Sequence, residues 1–449
     1  MTLFSFLQYR RPKKVDPETY RQARRSLEEG EGEGSVRSGL SGASSGIPEA
    51  LSFDRIINGG TCPPMALRDF MNYLIYVEHA AENLQFYLWY KGYEKRFGEA
   101  STSDITLSPE WTQAMEDEAM GKVRRDQAEK WKKEPAAAVI FKGTDFEKNA
   151  ESKRSNPFNT PPRSANDASD NDSAWDSVTI NNASNHILSV SHGTSRTQVA
   201  EAFQAAGTMA PFTIQPFHEE VSRIITSYIM DGGSRQLNLS DWEQKVAVQA
   251  LTYTTHPSAF RLLFKSVDSA LRMQSHPNFV RWSICNGNLP RVWFARFLGV
   301  GLILAGFAAA IIITLSEAGR GYRALPLIAW VLGISTFVAA YKGMCVVLHG
   351  LHHRHIRPWE LFAQENTEEM KTRSMESFGS NNSYEDEPWV VKYQKRNIIR
   401  KIFDREIWIQ EPALRQIQDT IFYQALFAGF VIGLIFMAIF LAVPSGHLF

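Results

Sequence analysis

FLGVGLILAGFAAAIIITL, residues 297–315, runs for 19 positions without a charge. The hydrocarbon core of a bilayer is about 30 Å thick and takes about 20 apolar helical residues to cross. Only a helix or a closed barrel can satisfy the backbone there. Two further stretches read the same way. Ala324–Tyr341, extended past Lys342 by Gly343–Leu348, gives a second span over 324–348, although Pro326 and Lys342 interrupt its apolar pattern. Ile421–Val443 supplies a third of 23 residues. The sequence therefore predicts three transmembrane helices at 297–315, 324–348 and 421–443, following a soluble N-terminal two-thirds.

Composition agrees once the chain is taken in parts. It has 449 residues, 44% of them hydrophobic, with 48 Lys and Arg against 48 Asp and Glu. The mean hydropathy of −0.25 averages very unequal regions. Zero net charge excludes a general nucleic-acid binder, which needs a basic surplus for phosphate contacts. Cys62, Cys285 and Cys345 form no closely spaced pair, which excludes a disulfide scaffold and a cysteine zinc site. Met1–Tyr9 is apolar but short, and its basic residues follow it, so it does not read as a signal peptide. Arg281, Arg291 and Arg296 precede the first span, Arg354 and Arg357 follow the second, and Lys401, Arg405 and Arg415 precede the third. The positive-inside rule then predicts a cytosolic N-terminus and 349–420 loop, with a short extracytosolic tail at 444–449. The expected setting is a multi-pass protein of the plasma membrane or another endomembrane.

The soluble region divides by composition. Residues 1–46 read as a basic, then flexible segment, with Gly30–Gly46 linker-like. Residues 47–290 read as a helical domain interrupted at about 100–210 by a polar insert. The Ser- and Asn-rich stretch 151–200 is expected to be disordered, because it cannot bury enough apolar surface to offset chain entropy. On either side the apolar period is helical. Leu67, Phe70, Met71, Leu74 and Val77 make one stripe after Pro63-Pro64, and Phe86, Tyr90, Tyr93 and Phe97 another. Beyond the insert, Val221, Ile224, Ile225, Tyr228 and Ile229 repeat the pattern until Asp231-Gly232-Gly233. Ser240 and Glu243 form a capping box, and a last helix opens at Pro257. No convincing period-two run appears, so the fold class is all-α.

At Ala81–Leu88, AENLQFYL resembles the Glu-Asn-Leu-x-Phe-Trp signature of regulator-of-G-protein-signalling (RGS) domains. Leu51-Ser52-Phe53-Asp54 is similar to that family's opening segment and Leu237-Asn238-Leu239 to its Asn-bearing loop. His276–Trp282 (HPNFVRW) resembles its closing Asp-Ser-Tyr-x-Arg-Phe. The resemblance covers about 50–100 and 211–285. With three spans, the stretch 396–418 and Val443–Gly446, the layout resembles fungal bud-site-selection membrane proteins. It implies an RGS-like helical bundle followed by three transmembrane helices. The implied role is a cell-polarity or bud-site landmark acting through protein contacts, with another polarity-landmark membrane glycoprotein as a possible partner. RGS domains hold a Gα subunit's own catalytic groups in their transition-state arrangement. By resemblance Glu82, Asn83, Asn238 and Arg281 face the Gα switches, while the plain alternative makes Glu82 and Asn83 helix caps and Asn238 a turn residue. Where active members carry Asp, this chain has Pro277 or Asn278, and a lost interfacial carboxylate removes a few kcal/mol. The alternative to the landmark role is an active GTPase-accelerating regulator in pheromone or nutrient signalling.

Three other patterns bear on function. Val391, Ile398, Ile399, Ile402, Phe403 and Ile407, with Lys395, Arg396, Arg400, Lys401 and Arg405, predict an amphipathic basic helix at about 390–410 on an anionic leaflet. Gly429 and Gly433 form a GxxxG in the third span that would permit helix pairing and a homo-oligomer. His349 and His353 have the i,i+4 spacing of a metal pair, but no Cys or carboxylate adjoins them, so neither metal nor other cofactor is expected. No GxSxG, HExxH or P-loop is present, which leaves no catalytic apparatus of the chain's own. Apart from Lys342 no charge lies within a span, against a channel or transporter.

Overall fold

The computed structural model describes residues 14–16, 18, 20, 46–101, 105–133, 212–363 and 388–444. The Ser- and Asn-rich stretch, the linker up to Ser45 and the tail from Ser445, expected to be extracytosolic, lie outside the described residues. The chain is mostly helical, 73% helix against 2% strand; among the described residues the exception to the all-helical expectation is a two-strand ribbon.

The described helices, in chain order, are α1 (Phe53–Ile57), α2 (Leu67–Tyr73), α3 (Ala81–Gly98), α4 (Gln113–Lys133), α5 (His218–Ile224), α6 (Asp241–Tyr253), α7 (Arg261–Ala270), α8 (His276–Ile284), α9 (Leu289–Leu315), α10 (Pro326–Tyr341), α11 (Val346–Gly350), α12 (Pro358–Ala363), α13 (Pro388–Gln394), α14 (Ile398–Ile402) and α15 (Pro412–Ala442). Wide π-type turns continue α2 through Leu74–Glu78, α5 through Ile225–Ile229 and α7 through Leu271–Ser275. The ribbon pairs β1 (His353–His355) antiparallel with β2 (Glu406–Trp408), placing His353 opposite Trp408.

The residues form two compact units. The first gathers the chain up to Lys91, Asp231–Leu237 and everything from Phe264 onward; the second comprises Gly92–Met230 and Asn238–Leu263. The stretch 47–290 is thus not one compact unit, because its first and last helices belong with the spans.

The second unit shows why the insert begins later than composition indicates. Residues 105–133 fall within the expected polar stretch, yet Leu107, Trp111, Ala119 and Val123 are buried and α4 packs on α6. Arg261 holds the buried Glu116 through two donors, Nη2 at 2.7 Å and Nε at 3.1 Å. The stripe is sparse, one apolar residue per turn among many charges, which hides the helix from a periodicity count. The capping box on α6 is formed, with the Ser240 backbone N–H donating to Glu243 Oε2 at 2.9 Å. The Gln215 side chain accepts from Thr255 N and donates to Tyr253 O, closing the end of the same helix.

In the first unit α9, the helical stretch Arg320–Tyr341, which contains α10, and α15 are long and apolar enough to cross a membrane. The middle helix lies against both others, and Trp330, wholly buried, meets Phe307, Phe436 and Phe440 at the centre. Two boundaries differ from the sequence reading. Pro326 sits in the first turn of α10, where its missing N–H costs nothing, so it starts the helix instead of weakening it. The helix stops at Tyr341, since Gly343 is left-handed with φ +81°; Val346–Gly350 is a separate short helix, and the span does not reach 348. At the opposite end Arg323, also wholly buried, donates through Nη1 to the carbonyls of Phe440 (3.1 Å) and Val443 (2.5 Å). It occupies the carboxyl end of α15, where a cation meets the helix dipole favourably.

Small residues set the spacing between spans. A Cβ built on Gly299 would lie 2.9 Å from Gly333 O and from Phe337 N, and one on Gly333 would lie 2.9 Å from Gly299 O. The backbones of α9 and α10 touch at this crossing.

Candidate functional site

Glu82 and Asn83 stand in the first turn of α3, after a sharp reversal in which His79 adopts φ +56°. Neither is the cap, since the helix begins at Ala81. Both are partly exposed. Just before this turn, Glu78 accepts from Ser275 Oγ at 2.9 Å and Gln274 Nε2 at 3.1 Å. Burial pushes its carboxyl above the ordinary carboxylate range. That contact joins the start of α3 to the α7–α8 junction, one turn before Asn278 and nearly two before Arg281. The partly exposed Arg281 thus belongs to the same unit and the same helix pair as Glu82 and Asn83. Asn238 belongs to the other unit, exposed on the segment leading into α6.

Pro277 and Asn278, at the place where the family's Asp is expected, are buried. The Asn278 carboxamide accepts from Val15 N and donates to Val15 O, both at 2.8 Å. Next to Arg281, Trp282 stacks with Trp359, which stacks in turn on Tyr76. The Arg357 guanidinium lies 3.6 Å from the Trp282 ring centre on the cation–π face. Burial, with Arg354 beside it, pushes Arg357 down to about 10, so it remains a cation at neutral pH. Arg354 itself is matched two-to-two with Glu360 at 2.8 and 2.9 Å.

This helix pair is fixed to the spans by a junction that sequence reasoning missed. Asn286 reproduces a backbone pairing with the segment after α10: Cys345 N donates to its Oδ1 at 2.7 Å and its Nδ2 donates to Cys345 O at 3.1 Å. His355 N donates to Asn286 O at 2.7 Å. Asn288 caps α9 by accepting from Arg291 N at 3.0 Å. Gln418 on α15 donates to Ile284 O at 3.1 Å, and Cys62 N donates to Glu411 Oε2 at 2.8 Å. The signal available was the run Asn286-Gly287-Asn288, which reads as a turn; the long-range partners of its amides are not written in it.

The expected basic helix at 390–410 is instead two short helices and a strand. Asn397 caps α14, accepting from Ile399 N at 3.1 Å, and Ile407 lies on β2. The break follows from pairing with β1, which draws 406–408 out of the helical period. Of the five basic residues, Lys395, Arg400 and Arg405 are exposed. Arg396 pairs with Asp404, and Lys401 donates to Gln394 O at 3.1 Å and lies over the Tyr393 ring. The apolar side of α14 meets the start of the first span: Phe403 packs edge-on to Phe294, Arg291 Nη1 donates to Ile402 O, and Arg291 pairs with Glu406 at 2.7 Å. Ile398, Ile399 and Phe403 are each more than 60% exposed, beside Leu289 and Phe297 at 74% and 69%.

Gly429 and Gly433 are occupied within the chain. A Cβ on Gly429 would lie 2.9 Å from Val331 O, and one on Gly433 2.9 Å from Leu327 Cδ1. The GxxxG therefore pairs α15 with α10, and that face is not available for a second copy. His349 and His353 do not form an i,i+4 pair, because His353 lies on β1. His349 and His352 approach Asp419 instead, at 3.4 and 3.8 Å. Among the described residues no group of three or more His, Cys, Asp or Glu side chains could hold a metal.

No protein family, curated protein or solved structure matches the chain. What the geometry defines is a mostly helical protein with three helices able to cross a membrane. Alongside them stands a helix pair that carries Glu82, Asn83 and Arg281.

Proposed function

We propose that the chain is a membrane-anchored RGS-like protein that works as a cell-polarity or bud-site landmark, presenting the α3 start and α8 to protein partners at the cytosolic surface. The observation that carries this reading is the coupling of the motif-bearing helices to the spans. AENLQFYL opens α3, its counterpart HPNFVRW forms α8, and α8 is tied to α9, α10 and α15 through Ile284, Asn286 and Asn288. A landmark needs a partner surface held at a fixed place on the membrane. The absence of a carboxylate at Pro277-Asn278, both of them buried, favours this role over GTPase acceleration.

The active regulator of a Gα subunit is the second reading, favoured by Glu82 and Asn83 in the first turn of α3. The test uses the full chain in nanodiscs. Asn83→Ala should weaken binding of transition-state-loaded Gα at least tenfold while leaving the melt nearly unchanged, because a partly exposed polar residue contributes little to folding. No Gα binding by the wild type removes the Gα reading. The landmark reading is tested by a fluorescent fusion followed through the cell cycle. Focal accumulation at the growth site is expected, and a uniform membrane distribution contradicts it.

A further inference from the structure

Val15 and Tyr20 are buried, 5% and 6% exposed, although they lie in the N-terminal segment ahead of the expected helical domain. They pack together against Ala270 on α7. Three polar contacts fix them. The Asn278 carboxamide both donates to and accepts from the Val15 backbone at 2.8 Å, which reproduces with one side chain the paired bonds of two neighbouring strands. The Tyr20 hydroxyl donates to Ser269 Oγ at 3.0 Å. Between the anchors, Tyr20 N donates to Asp16 O at 3.0 Å, forming a single turn.

Val15 meets residue 278 and Tyr20 meets residue 269, so the two anchors run antiparallel to the continuous helix that α7, its π-type turn and α8 form. The surroundings are those of a detachable strap, not of a core element. Lys14 and Asp16 pair with one another in solvent, their side chains 68% and 61% exposed, and Glu18 is exposed. A buried carboxamide that loses its partners is left with an unsatisfied donor and acceptor. The face therefore favours any segment that restores that pairing, and Arg281 stands one turn beyond Asn278 on the same helix.

We propose that the α7–α8 face is a peptide-docking face which the chain's own Val15 and Tyr20 occupy in cis, and that this self-ligand gates access to it. The ligand class is a peptide with an aliphatic residue whose backbone pairs with Asn278, followed by a turn that brings a tyrosine five positions later to Ser269. A tethered ligand competes at an effective concentration in the millimolar range, so the intact chain should refuse a free peptide of the same sequence.

The probe is a fluorescein-labelled synthetic peptide of residues 12–22, titrated by anisotropy against the full chain in nanodiscs. The strap-disabled double variant Val15→Asp, Tyr20→Ala should bind it at least tenfold more tightly than wild type. Adding Ser269→Ala, or separately Asn278→Ala, to that variant should reverse the gain. Because Asn278→Ala could disturb folding, hydrogen exchange on the intact wild-type chain provides an independent reading: the amides of Val15 and Tyr20 should exchange at least tenfold more slowly than that of Lys14. Equal peptide binding by wild type and the strap-disabled chain, or unprotected exchange at both amides, overturns the proposal.

Discussion

Gly299→Ala tests the packing that holds the spans together. The added methyl would sit 2.9 Å from two backbone atoms of α10, Gly333 O and Phe337 N, about half an ångström short of ordinary van der Waals contact. Neither atom belongs to a flexible side chain, so α9 and α10 must separate. Overpacking of this kind costs about 1–3 kcal/mol, set against a gain of up to about 1 kcal/mol from replacing glycine with alanine in a helix. Gly301→Ala isolates the steric part: it lies on the same helix, receives the same propensity gain, and its methyl meets nothing within 4 Å. The difference between the two variants should therefore be about 1–3 kcal/mol, with Gly301→Ala at or above wild type. Equilibrium unfolding in mixed micelles measures it, followed by thiol labelling of the buried Cys345 in a Cys62→Ser, Cys285→Ser background. Equal stability of the two alanine variants would refute the backbone contact at this crossing.

Four further outcomes are expected. Trp111→Ala should destabilise the second unit by about 3–5 kcal/mol, seen as earlier proteolysis within α4 and α6; an unchanged cleavage pattern would return 105–133 to the insert. Stability should fall as pH drops below about 6.5, the ordinary histidine value. Burial depresses His276, so the unfolded chain takes up the proton first, and the stabilisation present above that value is lost as pH falls towards the lowered one. His276→Gln should flatten one share of that slope in a melt series from pH 7.5 to 5.5; His256, His349 and His355 are depressed by burial too and supply the rest. A nitroxide at residue 399 in anionic liposomes should be relaxed by oxygen more than by a water-soluble nickel complex, because Ile398, Ile399 and Phe403 continue the exposed apolar surface of the first span; the opposite order would place α14 in water. Arg323→Met should lower stability by about 1–3 kcal/mol by leaving two carbonyls at the end of α15 without a donor; an unchanged melt would show that water already serves them.

The sequence was most legible where a single physical term dominates. Hydropathy alone locates three helices long and apolar enough to cross a membrane, and helical period marks α2, α3, α5 and α7. Phe70, Leu74, Tyr93, Val221, Tyr228 and Val267 are buried as their spacing implies. It was least legible where one long-range contact overrides local pattern. The strand at Glu406–Trp408 exists because His353–His355 lies opposite. The N-terminal segment is ordered at Val15 because of a carboxamide 263 positions away. Helix α4 depends on a few buried residues and on Arg261 reaching Glu116. The GxxxG at Gly429 and Gly433 was visible, but its partner was not, since small residues permit close approach without naming the helix that approaches. Motif position picks out Glu82, Asn83 and Arg281, and the structure places all three in the first unit, partly exposed. The welding of that candidate face to the spans was not legible, because Asn286 and Gln418 act through backbone groups that no side-chain pattern announces.

Hydrogen exchange across the α8–α9 junction, measured on the full chain in nanodiscs, tests most directly whether the helices proposed to face a partner and the spans are one body. The amides of Cys345 and His355, which donate to Asn286 Oδ1 and Asn286 O, should be protected together with those of α8. Asn286→Ala should release the Cys345 amide, which loses its acceptor, while His355, bonded to the main chain, keeps its partner. Exchange of both wild-type amides at the rate of an unstructured chain would mean a flexible hinge at 285–288, and would contradict a partner surface fixed to the membrane.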